Sequence, residues 1–212
     1  MGTAAMKSKK KKLTFDPYPW RNLKPYPVVG VDEVGRGCLA GSVYAAAVIL
    51  SDEFVIEGLT DSKKLTAKRR EELSELIHQH CRVSIAFATV EEIDRFNILR
   101  ASLLAMKRAV EALNLDQAHI LVDGNQRIPG LTFEQTTLVK GDLRAEPVAA
   151  ASIVAKVFRD NEMVELGQEF PGYGLEDHKG YATKVHKDAI EKLGPAPFHR
   201  TSFAGVREFV RR

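Results

Sequence analysis

VVGVDEVGRGCLAGSVYAAAVIL, Val28 to Leu50, is the stretch from which the rest of the chain can be read. It opens with a buried-type strand, Val28 to Asp32. A glycine-rich turn follows, and then a β-branched and alanine-rich run, Val43 to Leu50, read as a second strand. Asp32 and Glu33 close the first strand, directly before Gly35-Arg36-Gly37. A carboxylate at the end of an apolar strand is costly to bury unless it has a partner.

Working outward, the same pattern returns twice. His119 to Val122 reads as a short strand ending at Asp123, directly before Gly124. Thr137 to Lys140 reads as another, with Asp142 just past it. Several acids converging without a cation would repel one another. Oxygen-only ligands select a hard ion, Mg²⁺ or Mn²⁺, and no His/Cys cluster argues for zinc. Carboxylates holding two metal ions roughly 4 Å apart are a standard device for phosphodiester hydrolysis. The competing reading makes each acid a turn former, and Asp-Gly at 123–124 is an ordinary turn signal. Asp52, Asp94, Asp116 and Asp188 lie in polar surroundings and read as surface residues.

Between these strands the pattern is helical. Thr66 caps a helix with Leu73, Leu76 and Ile77 on one side. Val83 to Val90 reads as a third strand. Asn97 caps a helix to about Leu113, and Pro147 opens a long helix to about Gly167. Tyr181 to Leu193 reads as a further helix. Strands in a hairpin-like group, then alternating with helices, predict an α/β domain with a mixed sheet. Residues 1–24, with four prolines between Pro17 and Pro27 close by, read as a basic tail, and 25–212 as one domain.

The chain has 212 residues, 44% hydrophobic and 28% charged, which suits one globular domain with a sizeable core. Its net charge of +3 comes from one tract: removing Lys7 and Lys9 to Lys12 from 31 basic residues leaves 26 against 28 acidic, a net of −2. The tract reads as a solubilising tail or a nucleic-acid-binding arm. No apolar stretch is long enough to cross a bilayer. Two isolated cysteines, Cys38 and Cys81, fit a reducing compartment, so a cytoplasmic protein is expected.

The ordered motifs resemble those of the ribonuclease HII family. They are GVDEVGRGCLAGSV (Gly30 to Val43), DSKKL (Asp61 to Leu65), EIDRFNILRAS (Glu92 to Ser102), LVDGN (Leu121 to Asn125) and VKGD (Val139 to Asp142). AAASIVAKVFRD (Ala149 to Asp160), HKGYAT (His178 to Thr183) and HRTSF (His199 to Phe203) complete the set. The resemblance implies an RNase H-like fold: a five-stranded mixed sheet flanked by helices, with a small C-terminal helical part. It implies two-metal cleavage of the RNA strand of RNA–DNA hybrids, and incision at ribonucleotides embedded in duplex DNA, leaving 5′-phosphate and 3′-hydroxyl ends. Carried over by position, Asp32, Glu33, Asp123 and Asp142 are the catalytic and metal-binding acids. A monomer is expected. Cys38 and Ser42 stand where many members have proline, in a loop that does not carry the chemistry; Cys38 is read as small-residue packing.

Gly35-Arg36-Gly37 has its own physical reading. Glycines let a backbone approach a ligand closely, near enough to bond a ribose 2′-OH. A plain strand-connecting turn explains it equally well without the family. The resemblance assigns the turn to the ribonucleotide and Tyr181 to its 2′-OH and the following deoxyribose; composition alone makes Tyr181 a core aromatic. Lys63, Lys64 and Lys179 are candidates for phosphate contacts. Ser152 and Lys156 share a helix face and are read as packing against the sheet. His178, His186 and His199 show no triad spacing. A different metal nuclease would share the acids but not the turn and HKGY, and a dead binding module should have lost an acid. A nucleotide-binding loop is excluded, because GRGCLAG has neither G-x-G-x-x-G spacing nor a Walker lysine.

Overall fold

The computed structural model describes residues 16–210. The lysine tract lies outside the described residues. Five strands form one sheet: β1 Val28–Val34, β2 Val43–Ile49, β3 Arg82–Ala88, β4 His119–Asp123 and β5 Glu134–Leu138, in the order β3-β2-β1-β4-β5. β2 runs antiparallel to β1 and to β3, whereas β4 and β5 run parallel to β1. The sheet is therefore mixed, as expected, with β1 at its centre.

Helices cover both faces: α1 Ala67–His80, α2 Val90–Phe96, α3 Ile98–Glu111 and α4 Glu146–Glu169, followed by α5 Leu175–His178 and α6 Lys184–Leu193. Alternation along β1 explains the two layers. Val29 and Val31 join Ala45 and Ala47 against Ala105, Met106 and Ala109 of α3. On the other face Ala46 and Val48 pack with Leu73 and Ile77 of α1 and the small residues of α4. Gly30 faces α4 so closely that a Cβ there would lie 2.1 Å from the Pro147 carbonyl carbon. That contact seats the first turn of α4 on the central strand, next to Asp32. A third cluster, Leu39, Tyr173, Leu175, Ile190 and Phe198, holds the C-terminal helical part against the loop after β1.

Four expectations are corrected. β3 stops at Ala88 and not at Val90, because Thr89 and Glu92 close a capping box that starts α2. β5 runs over Glu134–Leu138 and not Thr137–Lys140; its polar first half lies at the sheet edge, and Lys140 turns left-handed at φ 59°. α6 begins at Lys184 behind a Thr183 cap, and Tyr181 instead pairs with Cys38 in an isolated bridge. Residues 18–23, read as tail, pack on the domain. Trp20 is 6% exposed, clusters with Val28, Leu121 and Val148, and donates from Nε1 to Glu146 at 2.7 Å.

Candidate active site

β1, β4 and β5 point the same way, so their carboxyl ends open at one edge of the sheet. Such edges bind ligands in α/β sheets where the chain reverses direction across the sheet. Val31 pairs with Val122, which brings Asp32 level with Asp123 on the neighbouring strand. β5 ends beside Asp123 at Leu138, and the chain then turns through Lys140 to Asp142. The turn is fixed by the Gly141 amide, which donates to Asp123 Oδ1 at 2.7 Å. A Cβ on Gly141 would sit 3.2 Å from that oxygen, so glycine gives the tightest fit.

Asp32, Glu33, Asp123 and Asp142 all line one cavity of about 290 Å³. Gly35, Arg36, Gly37, Lys63 and Tyr181 line it too. Lys64 and Lys179 do not. Lys64 is exposed beyond the rim, and the Lys179 ammonium donates to the Glu176 carbonyl outside the cavity. Tyr181 is 38% exposed, a ring at the mouth and no core aromatic. The Arg36 guanidinium pairs with Glu33 at 3.1 Å.

The electrostatics favour a cation. Burial first, then the charges of Glu33 and Asp123, push Asp32 well above the usual carboxylate range. Burial raises Asp123 against the pull of the Gly141 amide. Asp142 is raised to about 6 by burial and by Asp123, with Lys63 pulling the other way. Asp142 Oδ1 is buried with no hydrogen-bond partner. An orphaned carboxylate oxygen in an all-oxygen donor set fits a hard divalent ion. Among the described residues no three such side chains hold an ion by themselves. An ion held by these acids would complete its shell with water and substrate phosphate.

The family model described as Ribonuclease HII matches residues 29–206. The chain belongs to the ribonuclease HII family. It is 55% identical over 183 residues to a ribonuclease HII of Ruegeria pomeroyi, covering 86% of this chain and 78% of that one. It is 54% identical to a ribonuclease HII of Paracoccus denitrificans, covering 86% and 87%. The crystal structure of the ribonuclease H2 from Pyrococcus horikoshii superposes with a TM-score of 0.70 at 27% identity, covering 86% and 96%. Ribonucleases HII are endonucleolytic hydrolases acting on RNA–DNA substrates. This chain has that activity, and metal dependence is typical of the family.

For a ribonuclease HII, the structure adds residues that sequence reasoning passed over. Ser152 and Lys156, read as packing, line the acid cavity from α4. Ser152 bonds Ser62 at 2.9 Å, tying the DSKKL segment to the helix, and Lys156 pairs with Asp160 at 2.5 Å. Their i,i+4 spacing was the available signal. Arg159 is fully buried; it donates to the Lys179 and Ala40 carbonyls at 2.9 and 3.1 Å. It also crowds Gly35, where a Cβ would lie 2.3 Å from Arg159 Nε and where φ is +94°. The turn is glycine for two reasons at once, its backbone angle and the guanidinium beneath it.

Proposed function

We propose that this chain cuts at the ribonucleotide in two kinds of duplex, RNA–DNA hybrids and DNA carrying embedded ribonucleotides. The observation that carries the reading is that four carboxylates, the Gly35-Arg36-Gly37 turn and Tyr181 share one cavity at the carboxyl ends of parallel strands. Asp32, Glu33, Asp123 and Asp142 would hold two divalent ions, Mg²⁺ or Mn²⁺. When bound, the ions supply a lowered pKa at the attacking water and charge stabilisation at the leaving oxygen.

The chain's own residues orient the substrate. Backbone groups of Gly35, Arg36 and Gly37 approach the ribose and sense its 2′-OH. The Tyr181 hydroxyl bonds the same group while its half-exposed ring lies along the next sugar. Lys63, at the cavity wall, contacts a phosphate, and Lys64 and Lys179 contact phosphates farther along the duplex. Cleavage leaves a 5′-phosphate and a 3′-hydroxyl. Action as a monomer is part of the same proposal. Both cysteines stand free, as in a reducing, cytoplasmic setting; no helix of the described residues is long and apolar enough to cross a membrane.

The test presents duplexes carrying one, four or many ribonucleotides, with Mg²⁺, Mn²⁺ or EDTA, and maps the cut positions. Cuts confined to ribonucleotides and lost in EDTA are expected. Equal cutting of all-DNA duplexes would overturn the reading.

A further inference from the structure

We propose that His199 and Arg200 form a latch that fixes the Gly35-Arg36-Gly37 turn and Tyr181 in one geometry, so that both are positioning residues for ribose recognition. The inference rests on the sugar-reading roles assigned above. It starts from a motif, HRTSF, whose residues do not line the acid cavity.

Arg200 is completely buried. Its side chain donates to three carbonyls of the loop after β1: Nη1 to Arg36 at 3.1 Å, Nε to Gly41 at 2.9 Å and Nη2 to Ser42 at 3.2 Å. Its own amide donates to Leu39 at 2.9 Å. Among the described residues no carboxylate forms an ion pair with it. Burying a guanidinium without a counter-ion is expensive, and an apolar side chain would fill the same space at lower cost. What an apolar side chain cannot do is hold three carbonyls with one planar fork. One of those carbonyls belongs to the turn itself.

His199 does the same for Tyr181 through one intermediary. His199 Nδ1 accepts the Ala196 amide at 2.9 Å, so the ring proton sits on Nε2. That proton is donated to His186 Nε2 at 3.1 Å, which leaves the His186 proton on Nδ1. His186 Nδ1 then donates to the Tyr181 carbonyl at 3.0 Å. The neighbouring peptide is held too, because the Gly180 amide donates to His178 Nδ1 at 3.2 Å and the Gly180 carbonyl accepts the Leu39 amide at 2.8 Å. Isolated bridges join Ala40 to His199 and Cys38 to Tyr181. The latch is anchored at its far end. Thr201 and Ser202 each donate backbone and hydroxyl hydrogens to Asp94, four bonds between 2.5 and 3.1 Å. Asp94, read as a surface acid, is therefore the post to which the segment is tied.

A loosened latch leaves the acids in place but lets the two sugar-reading elements drift apart. The effect should appear as lost selectivity and not as uniform loss. The measurement is kcat/KM on a duplex with a single ribonucleotide and on an all-RNA hybrid, well below the melting temperature. Arg200→Lys and His199→Phe should lower the single-ribonucleotide value roughly tenfold more than the hybrid value, the size of one well-placed hydrogen bond. His199→Gln, which keeps a donor toward His186, should recover part of the loss. Leu73→Ala, a core truncation in the α1 layer, should lower stability without changing the ratio. If Arg200→Lys does not fold, Asp94→Asn loosens the same segment from the surface and carries the test. An unchanged ratio in the latch variants, with a changed ratio in Tyr181→Ala, overturns the latch alone. An unchanged ratio in Tyr181→Ala as well overturns the sugar-reading roles, and the latch falls with them.

Discussion

At Asp123 one carboxylate oxygen accepts the Gly141 amide while the group as a whole adds negative charge beside Asp32, Glu33 and Asp142. Asp123→Asn separates the two, since an amide oxygen can still accept that bond. Cleavage should fall roughly a hundredfold or more, the scale for removing one electrostatic stabiliser, while substrate binding survives. The metal-free variant should also be more stable than the parent in EDTA, by on the order of 1 kcal/mol once solvent screening is allowed for, because a like charge is gone. Near-normal turnover at modest Mg²⁺ would remove Asp123 from the site. Tyr181 gives a second test. Tyr181→Phe should cost ~1–2 kcal/mol in transition-state binding, the range for one hydrogen bond. Tyr181→Ala should cost roughly 1–3 kcal/mol more as stacking is lost. The loss should be larger on a single ribonucleotide, where no neighbouring 2′-OH compensates. Equal losses on both substrates would make Tyr181 a packing residue.

Within the C-terminal part, α6 and the segment after it bring two imidazoles into direct hydrogen-bond contact, Nε2 to Nε2 at 3.1 Å. His186 and His199 are each pushed from 6.5 down to about 4, chiefly by burial, with His178 stacked on His186 at 4.4 Å and Tyr173 beside His199 at 5.0 Å. Their folded pKa values lie below their unfolded ones. Between the two values the unfolded chain binds more protons, so this contribution is complete above about 6.5 and is lost as pH falls toward about 4. Urea midpoints measured at several pH values across that window should decline on acidification. His199→Gln should flatten the decline, and comparison of the two proteins cancels the opposing contributions of the raised acids Asp32, Asp123 and Asp142. Parallel slopes for parent and variant would show that the pair is not what titrates. α2 shows a different principle at this scale: seven residues become a helix because a capping box starts it and Asn97 ends it at φ 70°.

Across the whole molecule, segments far apart in the chain are joined by a few buried anchors. Trp20 couples the stretch before β1 to Glu146 at the start of α4, and the Tyr18 amide donates to the Arg144 carbonyl at 2.7 Å. That contact borders the loop carrying Asp142, since both line a second cavity of about 390 Å³. Trp20→Ala should destabilise the fold by about 3 kcal/mol, the low end for deleting a buried aromatic at a domain edge. It should also reduce cleavage, through looser support of Asp142. Thermal melting and kcat on one hybrid check both. An unaltered melting temperature would return residues 18–23 to the status of a tail.

Several elements were legible because their causes are local. The apolar runs that make β1 and β2, the Thr66 and Asn97 caps, and Asp123 at the end of β4 are written in adjacent residues and stand where they were expected, while β1 runs two residues past Asp32, to Val34. Asp32 and Asp123 meet because their parallel strands are neighbours in register, and Asp142 joins them through the turn beyond β5, which a reading of that strand as Thr137 to Lys140 misplaces. Other roles depend on partners that no local pattern reveals. Gly30 is a glycine because Pro147 lies against it, Arg200 is buried because carbonyls 158 to 164 positions away accept its hydrogens, and Asp94 is an anchor because the chain returns to it after 107 residues. Lys64 and Lys179 look like Lys63 in sequence, yet only Lys63 lines the cavity. Sequence by itself determined which residues could do the chemistry, because strand ends and charge are local properties. The tertiary structure alone decided which residues hold them in place, because a buried polar group is stable only beside the distant partners that satisfy it.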